Sequence, residues 1–216
     1  MRSTIDTLLQ ELDGALIEMG EMCEQALTDA CIAMREGDID IAERVMKKDD
    51  LIDDLESKID EICLTILLRE QPFARDLRRV IAATKMVTDL ERIGDQAADI
   101  ADIVIIAKRQ GKLELPNVDE MARKACKMVS DCVHAFVRGD IELTRTIIKA
   151  DDEVDELFEK VKDKLSDLLG KDDSIQDRAI DIIMITKYLE RIADHATNVA
   201  EWVEFSITGV HPSYNG

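Results

Sequence analysis

The sequence predicts an all-α chain made of two tandem three-helix bundles that arose by internal duplication. Three observations carry that prediction. Gly and Pro are scarce, 9 and 3 in 216 residues, which argues against a β fold with its many turns. Charged residues reach 35% while aromatics are only 3%, a composition of long solvated helices packed through Leu, Ile, Val, Met and Ala. The segments LERIGDQAAD (90–99) and LERIADHATN (189–198) are nearly the same ten letters written 99 positions apart.

The elements follow in order from helical punctuation. Ser3 and Asp6 form a capping-box start for a first helix that runs to about Glu36. Leu12, Leu16, Met19, Cys23, Ala26 and Ala30 recur along it at three- and four-residue steps. Gly37 suits a left-handed stop, and Asp38 a cap for a second helix reaching about Arg69. Pro72 fits the first turn of a third helix ending near Lys108. The stretch GKLELPNVD then reads as the linker. A fourth helix is expected from about Val118 to Arg138, and Gly139-Asp140 repeats Gly37-Asp38 before a fifth helix to about Leu169. After the loop GKDDS, Ser174 and Asp177 form a second capping box, opening the sixth helix.

The duplication extends beyond the LERI segments. REGDIDIAERVMKKDDLIDDL aligns with VRGDIELTRTIIKADDEVDEL at an offset of 102, so the second hairpin is three residues shorter (102 − 99). The copies are expected to span residues 1–112 and 116–210.

Composition excludes several function classes. A net charge of −19 repels nucleic-acid backbones and opposes unaided binding to anionic membranes, while suiting cations or basic partners. The five cysteines form no CxxC pair and are odd in number, so most are read as small buried hydrophobes in a reducing compartment. The N-terminal MRSTIDTLLQELDG has no apolar core of a signal peptide, and runs such as DIVIIAK are too short to span a bilayer. A soluble cytoplasmic protein is the expectation.

The candidate site is a pair of carboxylate stripes. On a helix, Glu91, Asp95, Asp99 and Asp102 fall within roughly 80° of one another. The second copy places Glu190, Asp194, Asn198 and Glu201 on the equivalent stripe. Like charges four residues apart cost about 0.2–0.5 kcal/mol per pair, so a stripe of one sign calls for a cation. The first stripe overlaps the face of Phe73, Leu77, Val80, Val87 and Ile105, which is expected to point inward. If the second and third helices turn near Gln71, Asp53 lies opposite residues near 89 and Asp50 opposite residues near 92. A turn near Asp172 likewise brings Asp155 and Asp152 opposite residues near 189 and 192. An oxygen-rich site with almost no His suits Mg²⁺, Mn²⁺, Ca²⁺ or iron rather than zinc or copper. The alternative is a purely internal charge network, with Lys85, Arg92, Lys187 and Arg191 neutralising the carboxylates.

Catalytic motifs are missing. Neither copy has the ExxH of di-iron bundles, and no phosphate-binding glycine loop is present. His195 has Gln96 at its place in the first copy and reads as a surface or packing residue, while His134 and His211 are isolated in sequence. An enzyme is not expected.

These pieces together resemble the PhoU family: DDLIDDL, LREQPFARDLRRV and DLERIGDQAADIA in one copy, DDEVDEL and KYLERIADHATNVAEWV in the other. The resemblance covers roughly Thr4 to Val210. It implies two three-helix bundles, commonly homodimeric, in the bacterial cytoplasm. It further implies a negative regulator of phosphate uptake and phosphate-responsive signalling. The partners would be the Pst transporter, through its ATPase, and a PhoR-type histidine kinase, so that membranes are met only through partners and nucleic acid not at all. Family members bind metal at E(D)xxxD motifs, in some cases as multinuclear clusters, with Fe, Mn or Mg as the expected ions. Carried over by position, the ligands are Glu91, Asp95 and Asp99 in one bundle and Glu190 and Asp194 in the other. Asn198 departs from the motif and predicts a weaker second site. A carboxylate-rich metal-binding protein with a storage or enzymatic role, and an acidic helical scaffold for another phosphate permease, are the competing readings.

Overall fold

The protein is described from a computed structural model that covers residues 2–107, 116–169 and 173–211, without the side chains of 2, 3, 116, 168 and 173–177. Six helices fill it: α1 (Arg2–Glu36), α2 (Ile39–Thr65), α3 (Arg75–Ile106), α4 (Pro116–Arg138), α5 (Ile141–Leu169) and α6 (Asp173–Thr208). There is no strand among the described residues. The caps expected at Ser3 and Ser174 lie outside the described side chains, and the linker residues 108–115 and loop residues 170–172 lie outside the described residues.

Local chemistry sets the two inner junctions identically. Gly37 (φ 67°) and Gly139 (φ 60°) take the left-handed conformation that ends α1 and α4. Asp38 then accepts the Ile41 N–H at 3.0 Å, and Asp140 accepts that of Leu143 at 3.0 Å, each satisfying an orphan donor of the next helix.

The α2–α3 junction departs from expectation. After Thr65 the chain continues through one π-helical turn, Ile66–Glu70, and reverses over Gln71–Ala74. Gln71 (φ 48°) and Ala74 (φ 46°) both hold positive φ, so Pro72 lies in the reversal and α3 starts only at Arg75. Phe73, expected on the inward face, is therefore 85% exposed, and Leu77 is exposed as well. Val80 and Val87 of the same expected face are buried.

Each copy is a three-helix unit, α1–α3 or α4–α6. The two units join through α3 against α6 and α1 against α4, leaving α2 and α5 on opposite flanks. One continuous core runs through both, with Leu12, Met19, Ile52, Ile93, Met128, Ile147 and Leu189 fully buried. Burying each such side chain stabilises the fold by about 1.5–3 kcal/mol. Gly20 sets the closeness of α1 to α4, since a Cβ there would overlap the Val133 side chain. Cys23, Cys63 and Cys132 are buried as expected, whereas Cys31 and Cys126 are half-buried between α1 and α4. No helix among the described residues is long and apolar enough to cross a membrane.

Candidate metal centre

In the first unit, α2 and α3 bring carboxylates from both helices of the hairpin together. Asp49, Asp53 and Asp95 each present an oxygen within 4.8 Å of the others. The i,i+4 spacing aligns Asp49 with Asp53 on one face of α2. Gly94 leaves the space between the helices open: a Cβ there would stand 3.4 Å from Asp49 Oδ1 and only 2.9 Å from Ile52 Cδ1. Asp49 Oδ1 is buried and has no hydrogen-bond partner.

Burial and crowding raise the carboxyls above their ordinary range. Burial, then repulsion from Asp95, Asp53, Asp50 and Asp99, pushes the Asp49 carboxyl up to about 6. Burial, then Asp95, Glu56 and Asp53, pushes Glu91 up to about 7, with Arg92 opposing. Asp95 is raised by burial and by Asp53 and Asp99. Asp99 is also raised by burial, although Tyr188 donates a hydrogen bond to it from the other unit and Arg191 opposes the shift.

The second unit repeats the theme with one change. Burial, then Asp194, Asp155, Asp152 and Glu190, pushes Asp151 up to about 6, and its Oδ1 likewise has no hydrogen-bond partner. Asp155 and Asp194 are raised, each mainly by burial and then by Glu190. Here, however, Lys187 Nζ sits 2.6 Å from Glu190 Oε1. Thr88 holds the corresponding place in the first unit, so Glu91 has no lysine at that position. A cleft of about 500 Å³ opens beside Asp151 and Asp194, lined also by Arg191, His195, Thr197, Asn198 and Glu201.

Several expected residues take other places. Asp50 and Asp152 are exposed and adjoin the clusters, while Asp49 and Asp151 supply the inward carboxylates. The hairpin geometry explains the first shift. The reversal over Gln71–Ala74 is centred between Pro72 and Phe73, not on Gln71, which moves every α2–α3 pairing by about three residues along α3. Asp49 then meets Asp95, and Asp50, turned roughly 100° away on α2, points outward. A signal was available: the four-residue spacing that singles out Glu91 and Asp95 also separates Asp49 from Asp53 and Asp151 from Asp155.

Two histidines also have partners that spacing does not show. His195 is buried, with Nδ1 2.8 Å from Asp89 Oδ1. His211 is buried against Trp202, ring centroids 4.2 Å apart, and close to Glu201.

The donor set of each unit is all oxygen and anionic, and includes one buried carboxylate oxygen with no hydrogen-bond partner, Asp49 Oδ1 in the first and Asp151 Oδ1 in the second. It fits a hard divalent cation, or iron, in the first unit, where the cluster is tightest.

Fold and site define a class of protein: a duplicated three-helix unit with a carboxylate cluster between the second and third helices of each copy. The PhoU domain model matches the chain twice, over residues 16–104 and 118–203. A phosphate-specific transport system accessory protein PhoU homolog of Clostridium acetobutylicum is 34% identical over 218 residues, covering 99% of each chain. The crystal structure of PhoU from Pseudomonas aeruginosa superposes with a TM-score of 0.89 at 34% identity, over 95% of this chain and 99% of that one. The phosphate transport system regulatory protein PhoU from Streptococcus pneumoniae gives a TM-score of 0.89 at 27% identity, over 96% and 98%. This chain belongs to the PhoU family.

Proposed function

We propose that the chain is a negative regulator of phosphate uptake and phosphate-responsive signalling, a metal-binding adaptor between the Pst transporter ATPase and a PhoR-type histidine kinase. Similarity over the full length to proteins named for phosphate transport supports the regulatory role. The observation that carries the metal part is the convergence of Asp49, Asp53 and Asp95, with Asp49 Oδ1 buried and unpartnered.

Bound cations would supply positive charge beyond what Arg92 and Lys187 bring to the clusters. Asp49 and Asp53 on α2 and Glu91 and Asp95 on α3 are the residues that would hold them in the first unit. Asp151, Asp155, Glu190 and Asp194 would do so in the second, with Lys187 already neutralising part of that charge. Iron, manganese or magnesium matches this chemistry. Neutralised stripes clamp α2 to α3 and α5 to α6, and so set the surface offered to basic, membrane-associated partners. The reading places the protein in the cytoplasm as a homodimer, acting by contact and not by catalysis.

Affinity purification of the tagged protein from membranes of phosphate-replete and phosphate-starved cells tests the reading. Enrichment of the transporter ATPase or of the kinase is the expected result. Recovery of the protein alone under both conditions would overturn the adaptor role.

A further inference from the structure

Five free cysteines are distributed unevenly with respect to chemistry. Cys23 and Cys132 are fully buried, and their thiols donate to the backbone carbonyls of Leu90 at 3.1 Å and Ala196 at 3.0 Å. Burial pushes both up, and pushes Cys63 up to about 12, so all three are inert thiols. Cys31 and Cys126 differ in their placement. They lie on different units, on α1 and α4, and both keep some exposure to solvent. Across the packed α1 and α4, Thr28 Oγ1 stands 4.0 Å from Cys126 Sγ, and Cys31 lies one helical turn beyond Thr28 on the same face, which sets its thiol beside that of Cys126.

We propose that Cys31 and Cys126 form a redox-modification site, where a peroxide converts two facing thiols into a disulfide that staples the first helix of one unit to the first helix of the other. The hydrogen bonds from Cys31 and Thr28 hold the Cys126 thiol below its ordinary range, which makes its sulfur the nucleophile of the pair. The same thiol contact, and then burial, hold Cys31 well above its range, so it keeps its proton until the second step.

The chemistry balances with the peroxide as oxidant. The Cys126 thiolate attacks one peroxide oxygen, the O–O bond breaks, and a sulfenic acid and hydroxide form. Cys31 sulfur then attacks the sulfenic sulfur, the S–O bond breaks, and hydroxide leaves as water with the Cys31 proton. Two thiols and one hydrogen peroxide give one disulfide and two waters.

The consequence is mechanical. The two units meet along α3–α6 and α1–α4, and the carboxylate clusters lie on the α2 and α5 flanks of those contacts. A covalent link at α1–α4 restrains any relative motion of the units without occupying the clusters.

The test uses the full-length chain, reduced, freed of metal with a chelator and titrated with hydrogen peroxide. Free thiols are then blocked by alkylation, and the protein is digested without reductant for mass spectrometry. The expected product is a cross-linked peptide pair containing Cys31 and Cys126, with two of five thiols lost and both restored by reductant. The unfolding midpoint should rise by roughly 5–10 °C, because a loop of nearly a hundred residues is closed. Cys126→Ser should abolish the link. Recovery of Cys31 and Cys126 as alkylated thiols, as separate over-oxidised acids, or in links between different chains would each overturn the proposal.

Discussion

His195 on α6 holds its Nδ1 2.8 Å from Oδ1 of Asp89 on α3, and Asn198 donates to the same oxygen at 3.2 Å. Both His195 and Asp89 are buried, on helices of different repeats. The 99-residue offset between the repeats relates Asp89 to Tyr188, Asn198 to Asp99 and His195 to Gln96. The contact between Tyr188 and Asp99 is therefore the counterpart of the Asp89–Asn198 bond, with donor and acceptor exchanged. The asymmetry lies in His195, whose place in the first copy is taken by the uncharged Gln96.

Asp89→Ala should destabilise the chain by about 1–3 kcal/mol, because it strands two donors in a buried contact. Urea unfolding followed by circular dichroism reads this directly. A change under about 0.5 kcal/mol would show that the latch contributes nothing to stability.

The neighbouring aspartates of α2 should separate under mutation. Asp49→Asn removes an inward carboxylate and should weaken metal binding by about tenfold or more, as should the double variant Glu91→Ala with Glu190→Ala. Asp50→Asn should leave affinity within about twofold. Calorimetric titration with Mn²⁺ or Mg²⁺, together with metal analysis of the purified variants, decides it. Equal effects at Asp49 and Asp50 would contradict the register described above.

Repeat asymmetry suggests a charge swap. Thr88→Lys should give the first unit the internal cation that Lys187 supplies to Glu190 in the second, and so lower the metal content of the first site. Lys187→Thr should raise affinity at the second. Unchanged stoichiometry in both variants would mean that this lysine position does not govern cation binding.

Stability of the metal-free protein should depend on pH in a direction set by the raised carboxylates. Asp49 and Asp151, at about 6, and Glu91, at about 7, lie above their unfolded values. Between those unfolded values, near pH 4 as is usual for carboxylates, and the folded ones, the native state holds more protons than the unfolded chain. Stability therefore falls as pH rises through that window. Thermal unfolding in chelator should show a higher midpoint near about pH 5 than near about pH 7.5, and saturating Mn²⁺ should shrink the gap. A midpoint that rises with pH in chelator would show that these groups are not crowded in solution.

Much of this was legible in the letters. Helix number, the Gly-Asp junctions at 37–38 and 139–140, the duplication and the acidic stripes all follow from short-range rules: periodicity, capping and composition. Each depends on residues a few positions apart, so one chain read in order is enough. The family resemblance rests on the same local motifs, and the full-length comparisons bear it out.

Tertiary structure decided which neighbour of a pair faces inward and who meets whom between the units. Choosing Asp49 over Asp50 required the length of the reversal after Glu70, and two non-glycine residues with positive φ are not foreseeable from propensity. The Asp89–His195 latch and the Cys31–Cys126 contact join residues 106 and 95 positions apart in sequence. Such pairings arise from how two finished bundles dock, an arrangement settled by side-chain packing over α3–α6 and α1–α4 and written in no local pattern.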